Sequence, residues 1–200
     1  NVKILLDGIP MLDRGATRES LGQIDINNIE KIEIVEGPMS VNYGSDALAG
    51  VINIITKSSP DRNVSARIQE ETAGSAYAPL QGQGQHYASL SAGGGVNRWH
   101  INAGITRNFF GGYQGRSEGR KMDWMPKEQY LSVASLAYKH RKLDTQYRFN
   151  GTNETLKSLG NTYINRNTNH EAATDQYYVS KRLFHQLQAN HQQSRHVVLV

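Results

Sequence analysis

Cysteine is absent from the 200 residues. This excludes a disulfide-stapled scaffold and a zinc ribbon, and leaves the compartment open. Proline is scarce at 5, and no stretch approaches the roughly 20 apolar residues that a spanning helix needs. Neither sign of charge dominates, since 22 Lys and Arg against 18 Asp and Glu leave +4. The basic residues are scattered, apart from short clusters at Arg120-Lys121 and Lys139 to Lys142. A nucleic-acid partner would need a concentrated basic face, so none is expected. Nucleotide-cradling spacings such as Gly-x-Gly-x-x-Gly are lacking. No nucleophile–base pair or metal-ligand cluster stands out either, so no catalytic residue, metal or cofactor is expected. What is present is 19 Gly, 10 Tyr and only 38% hydrophobic residues, a composition suited to strands, tight turns and a wet interior.

The first third carries an apolar pattern. Lys3 to Leu6 reads as a short strand closed by the turn pair Asp7-Gly8. Thr17 to Leu21 has room for a helical turn. Ile29 to Glu36 reads as a strand with Ile32 and Ile34 on one buried face and Glu33 on the other. Gly37-Pro38 stops it. Val51 to Thr56 is apolar on both faces apart from Asn53, as expected of a central, covered strand. The segment between them holds three glycines where the backbone needs positive φ or a close approach, and Asp46 there is a candidate turn cap.

Three stretches, Ile32 to Ser40, Tyr43-Gly44-Ser45-Asp46-Ala47 and Gly50 to Lys57, together resemble the end of the plug domain of TonB-dependent outer-membrane receptors. Leu5 to Pro10 is similar to the strand that this family carries just upstream. The ordered match covers roughly residues 3 to 57. Its structural motif residues are Glu36, Gly37, Pro38, Tyr43, Gly44, Ser45, Asp46, Gly50 and Asn53. The Tyr-Gly-Ser-Asp-Ala form is similar to the cobalamin and catecholate-siderophore branch. Family members often carry Arg at the position of Glu36, so the corresponding plug–barrel contact is expected to differ.

Beyond Ser58 the chain alternates as strands do. Trp99 to Phe109 sets Trp99, Ile101, Ala103 and Ile105 against His100, Asn102, Gly104 and Thr106. Leu143 to Gly151 and Tyr130 to Lys139 read as strands, and Val64 to Ala73 and Gln85 to Ala92 alternate weakly. Tyr177 to His191 suits a strand or a helix. Short turns are expected at Gly93 to Asn97, His140 to Lys142 and Gln192 to Arg195. They interleave with longer polar segments at Gly74 to Gly84, Phe110 to Lys127 and Asn153 to Gln176. Short turns on one side and long loops on the other are the habit of outer-membrane barrels. Six strands and the start of a seventh cannot close such a barrel, and both chain ends fall inside apolar runs, so the sequence reads as part of something longer.

The expected fold class is mainly β: an α/β plug domain followed by part of an antiparallel transmembrane β-barrel. The domains would be 1–57 for the C-terminal part of the plug, 58–63 for a linker and 64–200 for the first barrel strands. The resemblance implies a barrel of about 22 strands in the bacterial outer membrane. It also implies TonB-dependent import of a scarce nutrient, an iron–siderophore complex first and cobalamin or haem next. The partners implied are the TonB energy-coupling complex, the nutrient and outer-membrane lipid. The candidate ligand-binding residues are Met11, Asp13 and Arg14 in a plug loop and Arg116 and Trp124 in an external loop. No His lies in the plug third, which weighs against haem. A soluble β-sandwich binding or adhesion module is the alternative of a different class.

Overall fold

A computed structural model describes residues 2–11, 19–37, 50–57, 62–74, 82–116 and 118–191. Two units divide near residue 60, Asn1–Pro60 and Asp61–Val200. The first holds a four-stranded sheet in the order β2-β1-β4-β3, built from β1 (Val2–Leu6), β2 (Ile9–Pro10), β3 (Ile29–Glu36) and β4 (Gly50–Thr56). Asp7 and Gly8 link β1 to β2 with φ of 51° and 81°. Positive φ at both positions is what Asp-Gly supplies most easily in a two-residue hairpin turn. The hairpin continues for one further bond, from the Met11 amide to the Ile4 carbonyl at 2.9 Å.

Strand β4 lies between β1, its parallel partner, and β3, its antiparallel partner. That position explains its continuous apolar run. Leu5, Leu6, Val51 and Ile54 are all under 5% exposed and form the core of this unit, each stabilising it by roughly 1.5–3 kcal/mol. Gly50 opens β4 at φ 142°, and a Cβ there would lie 2.5 Å from the Val35 carbonyl oxygen. The β3–β4 pairing therefore requires glycine at this position.

Strand β3 departs from expectation. Ile32 and Ile34 do share a face, but they are 54% and 67% exposed rather than buried. β3 is the edge of the sheet, and among the described residues nothing covers it. The helical content here consists of two 3₁₀ turns among the described residues, Glu19–Gln23 and Ile26–Asn28. Asp25 caps the second, its Oδ1 accepting from the Asn27 amide at 2.9 Å.

The second unit is dominated by one antiparallel sheet in the order β12-β9-β8-β7-β6-β5. Its strands are β5 (Asn63–Glu71), β6 (Gln85–Val96), β7 (Trp99–Phe110), β8 (Lys127–His140), β9 (Leu143–Ser158) and β12 (Gln176–His191). A small hairpin of β10 (Thr162–Ile164) and β11 (Glu171–Ala173) interrupts the connection from β9 to β12. Tyr177 to His191, ambiguous by periodicity, is strand throughout.

Two boundaries move. The triple glycine is not a turn: Gly93, Gly94 and Gly95 pair with Asn102, Ile101 and His100 inside the β6–β7 ladder, and Asn97-Arg98 makes the turn, with Asn97 at φ 57°. A Cβ on Gly93 would sit 2.9 Å from Asn63 Oδ1 and 3.1 Å from Asn102 Oδ1. Gly93 thus makes room for polar side chains on the neighbouring strands. Strand β9 runs on to Ser158, where a loop was expected from Asn153, because β12 pairs with it along its whole length. The turn expected at Gln192 to Arg195 lies outside the described residues.

The registers sort side chains into two faces. On one, Leu90, Ile101, Ile105, Leu136, Tyr147, Leu183 and Leu187 come together across the strands, and all seven are large exposed apolar residues. On the other, Asn102, Thr106, Gln129, Arg148, Glu154 and Gln186 alternate with them along the same strands. Glu154 and Gln129 are buried on this polar face and paired, Gln129 Nε2 donating to Glu154 Oε2 at 2.9 Å. A sheet whose large apolar residues stand exposed on one face while Gln129, Glu154 and Gln186 are buried on the other inverts the logic of a soluble domain.

Candidate ligand-binding loops

All short turns within the described part of this sheet, Asn97-Arg98 and Arg141-Lys142, lie at one end, and the long connections lie at the other. The connection from β7 to β8 carries Arg116 and Trp124. Its middle closes as a narrow hairpin, in which the Tyr113 and Trp124 amides and carbonyls exchange two bonds of 3.0 Å. Trp124 packs against Tyr113 with ring centroids 5.4 Å apart and against Phe110 at 6.3 Å, yet it stays 62% exposed. Phe110 alternates onto the polar face with Asn108 and Thr106. The aromatic trio therefore belongs to the end of the polar face.

The Arg116 backbone amide donates to Asp123 Oδ2 at 2.9 Å. Its guanidinium, like the Lys121 ammonium, pairs with no carboxylate among the described residues. Arg120 is committed elsewhere. Its Nη2 reaches Asp175 Oδ2 at 2.8 Å, and the Asn161 side-chain oxygen accepts from the Arg120 and Lys121 amides at 3.1 and 3.0 Å. Asp175 also accepts from the Gly160 amide. The Arg120 guanidinium first, and then that amide, hold its carboxyl below the usual Asp range.

Asn161 and Asp175 thus clamp one long connection onto the next, although neither residue stood out in the sequence. Gly74 joins a third connection to the group: at φ 63°, a Cβ on it would lie 2.6 Å from the Tyr113 ring. The arrangement offers an exposed aromatic platform and two uncommitted cations on a braced support. Such a surface suits a large anionic or aromatic ligand.

In the first unit, Met11 lies half-buried at the end of the β1–β2 hairpin. Asp13 and Arg14 lie outside the described residues, as do Pro38, Tyr43, Gly44, Ser45 and Asp46. Glu36 ends β3, and Gly37 follows it at φ 106°. Asn53 joins β4 to β3 and to the β1–β2 turn: its side-chain oxygen accepts from the Gly8 amide at 2.9 Å, and its Nδ2 donates to Glu33 Oε2 at 3.2 Å. Lys31 and then Asn53 hold the Glu33 carboxyl below its ordinary range. Among the described residues no group of three metal-ligating side chains comes together.

Residues 1–51 match the family described as TonB-dependent Receptor Plug Domain. Over 58 residues the chain is 45% identical to the vitamin B12 transporter BtuB of Vibrio vulnificus (strain CMCP6), an alignment covering 29% of this chain and 9% of that protein. The first unit therefore carries the TonB-dependent receptor plug, matched over residues 1–51. The likeness extends through the second unit. The siderophore receptor PirA of Acinetobacter baumannii superposes with a TM-score of 0.64 at 19% identity, covering 92% of this chain and 29% of that one. The ferric yersiniabactin uptake receptor FyuA of Yersinia pestis gives 0.63 at 15% identity, covering 96% and 29%. This receptor chain therefore spans about three-tenths of the solved receptors it resembles and about a tenth of the curated relative.

The fold is that of the family: a plug-type unit followed by part of an antiparallel outer-membrane barrel wall. The inverted faces of the six-stranded sheet are what such a wall requires, with apolar side chains towards lipid and polar ones towards the lumen. A soluble sandwich would need a second sheet packed about 10 Å from that apolar face, which is exposed in this receptor. The receptor belongs to the bacterial outer membrane, in a family of transporters rather than enzymes.

Proposed function

We propose that this receptor imports a large, scarce nutrient across the outer membrane, with an iron–siderophore complex as the first candidate. The observation that carries this reading is the joining, in one chain, of a plug-family unit and a sheet with one apolar and one polar face. Binding on the long-connection side needs no covalent chemistry. Release into the periplasm needs work, supplied by the TonB energy-coupling complex acting on the plug. We assign residues 1–57 to the plug, 58–63 to a linker and 64–200 to the first barrel strands.

Arg116 and Trp124 are the proposed ligand contacts of the β7–β8 connection, and Met11, Asp13 and Arg14 those of the plug. A catecholate or carboxylate chelate carries the aromatic surface and negative charge that the Trp124 platform and the Arg116 guanidinium recognise. Cobalamin is the second reading, favoured by the 45% identity to a vitamin B12 transporter. That alignment covers 58 residues of this chain, far fewer than an entire receptor with its loops.

The test is uptake. A strain lacking the receptor is fed radiolabelled ferric siderophores of catecholate and mixed type, and labelled cobalamin, with and without a functional TonB. Loss of TonB-dependent ferric-siderophore uptake that plasmid-borne receptor restores supports the first reading, and loss of cobalamin uptake alone supports the second. Unchanged uptake of every compound overturns both.

A further inference from the structure

The apolar face has a hollow near its short-turn end. Val64, Ala92 and Ala103 stand in one register row across β5, β6 and β7, and Gly94 pairs with Ile101 in the next row towards the turn. Alternation sets them on the face of Leu90 and Ile105. Because Ala92, Gly94 and Ala103 are small, a cavity of about 570 Å³ opens between Val64 and Ile101, with Arg62 also lining it. Resting on the reading of that face as lipid-facing, and independent of which nutrient is carried, the geometry points to a site for one anionic glycerophospholipid of the inner leaflet. Its phosphate meets Arg62 and one acyl chain fills the hollow.

Arg62 directly precedes β5 and is exposed. A Cβ on Gly94 would lie 3.1 Å from Arg62 Cγ, so the bare glycine backbone gives the aliphatic stem a bed on this face. An arginine can lay its stem along apolar surface while its guanidinium stays with polar groups. Among the described residues no carboxylate pairs with Arg62, and no Asp or Glu lines the hollow. A cation at the border of a lipid-facing band is costly unless an anion from the membrane meets it.

Position and shape select the occupant. Short turns mark the periplasmic side of an outer-membrane barrel, and the leaflet there is built from glycerophospholipids. Trp99, two residues nearer the Asn97-Arg98 turn than Ile101, is 47% exposed on the same face, as suits an aromatic ring at headgroup level. The volume is that of a site for one small ligand, and a hollow facing hydrocarbon gains dispersion contacts only when methylene groups fill it. Its floor, β6, is already paired on both sides, so an added strand has no backbone to join there. With no carboxylate in the lining to take an ethanolamine ammonium, a lipid of net negative charge such as phosphatidylglycerol is preferred.

The full receptor, purified in detergent and stripped of lipid, is given phosphatidylglycerol with a photoactivatable diazirine on one acyl chain. Cross-links on β6 and β7 are mapped by peptide mass spectrometry. Unlabelled phosphatidylglycerol should compete, whereas phosphatidylethanolamine should compete more weakly, and diacylglycerol and inorganic phosphate hardly at all. Arg62→Gln should weaken binding about fivefold, and Arg62→Lys should keep it. Ala92→Leu, which fills the hollow and leaves the cation in place, should abolish cross-links at Ile101 and Ala103. Arg98→Gln, at the neighbouring short turn, should leave affinity unchanged. Ala103→Leu replaces Ala92→Leu if that variant fails to assemble. Equal affinity in the parent and Arg62→Gln, cross-links that survive filling of the hollow, or a loss on Arg98→Gln as large as on Arg62→Gln overturns the proposal. So does equal competition by phosphatidylethanolamine, diacylglycerol or inorganic phosphate. A spin label at Leu90→Cys, on the same face outside the hollow, separates this failure from that of the underlying reading. A label reached by a water-soluble relaxation agent sinks the lipid-facing assignment, whereas a lipid-buried label with unaltered phospholipid affinity in the variants sinks the phospholipid site alone.

Discussion

Asp7 and Thr56, 49 positions apart, are joined by two hydrogen bonds: Asp7 Oδ1 accepts from the Thr56 amide at 2.9 Å, and Oδ2 from the Thr56 hydroxyl at 2.8 Å. The Asp7 amide in turn donates to the Ile54 carbonyl. The turn after β1 thereby locks the end of β4, beyond the last residue that β1 pairs with. A residue chosen for its turn geometry also ties the sheet across the intervening segment.

That double role separates two substitutions. Asp7→Asn keeps a side chain that tolerates the left-handed backbone and an oxygen for the Thr56 amide. Asp7→Ala loses both and leaves the buried Thr56 hydroxyl without this acceptor. The alanine variant should destabilise this part of the plug by about 1–3 kcal/mol, while asparagine costs little. Hydrogen exchange at the Thr56 amide reads the difference, with protection falling in alanine and persisting in asparagine. Equal protection in both variants would mean that the latch contributes nothing.

Gly50→Ala should act on the same sheet from its other end. The added methyl meets the Val35 carbonyl at 2.5 Å, and the backbone sits at φ 142°. Relief requires β3 to move away from β4, at a cost of about 1–3 kcal/mol. Faster proteolysis and exchange in Ile29–Glu36, with β1 unaffected, is the expected result. An unchanged pattern would show that the strand pair gives way easily.

The strands were legible because alternation is a local signal that a one-sided sheet enforces at every second residue, from Trp99 through Ile105 as clearly as anywhere. The Asp7-Gly8 turn was legible for a related reason, since few residue pairs tolerate that backbone. What escaped depends on partners remote in sequence. Ile32 and Ile34 carry the pattern of a buried face but lie on an edge, and a strand's place in a sheet is not written in its own residues. The Gly93 to Gly95 run reads as a turn until Asn63 and Asn102 are seen to need the space. β10 and β11 have three residues each, too few for a period. Of the candidate loop residues, Arg116 and Trp124 share one braced connection. The brace itself, Asn161 and Asp175, lies about 40 to 55 residues from its partners, and polar residues in a polar stretch give no sign of that.

The Arg120–Asp175 pair gives a dependence on pH. The Asp175 carboxyl is held below its ordinary range in the folded protein. Its stabilising contribution is therefore complete above the unfolded-state Asp value and is lost as pH falls through the lowered folded one. Trp124 fluorescence should hold steady from neutral pH down through the usual carboxylate range and shift only in stronger acid. In Asp175→Asn it should be altered already at neutral pH, and this acid transition should be gone. A transition that survives in the asparagine variant would assign it to another group.

The committed and uncommitted cations of the β7–β8 connection should also respond differently. Arg116→Gln removes a charge that no carboxylate among the described residues satisfies, so ferric-siderophore affinity should fall by about tenfold, the value of one charge-assisted contact, with Trp124 fluorescence unchanged. Arg120→Gln breaks the clamp to Asp175 and should disturb both affinity and fluorescence. Loss of affinity on Arg120→Gln but not on Arg116→Gln would move the ligand contact away from Arg116.

The division of faces is tested most directly by neighbours on one strand. Ala103 and Asn102 are adjacent in β7, pairing with Ala134 and Ser135 of β8, and their side chains point to opposite faces. Ala103 stands midway along the apolar stretch that runs from Trp99 towards Arg107. Arginine there meets the middle of the bilayer and should cost about 2–4 kcal/mol, whereas on the lumen side the same side chain meets water. Ala103→Arg should therefore lower the yield of folded, heat-modifiable receptor in outer-membrane fractions, and Asn102→Arg should not. The contrast depends on the face alone, because the two variants share strand, depth and added side chain. Equal losses would indicate a general intolerance of β7, and a loss confined to Asn102→Arg would turn the sheet inside out.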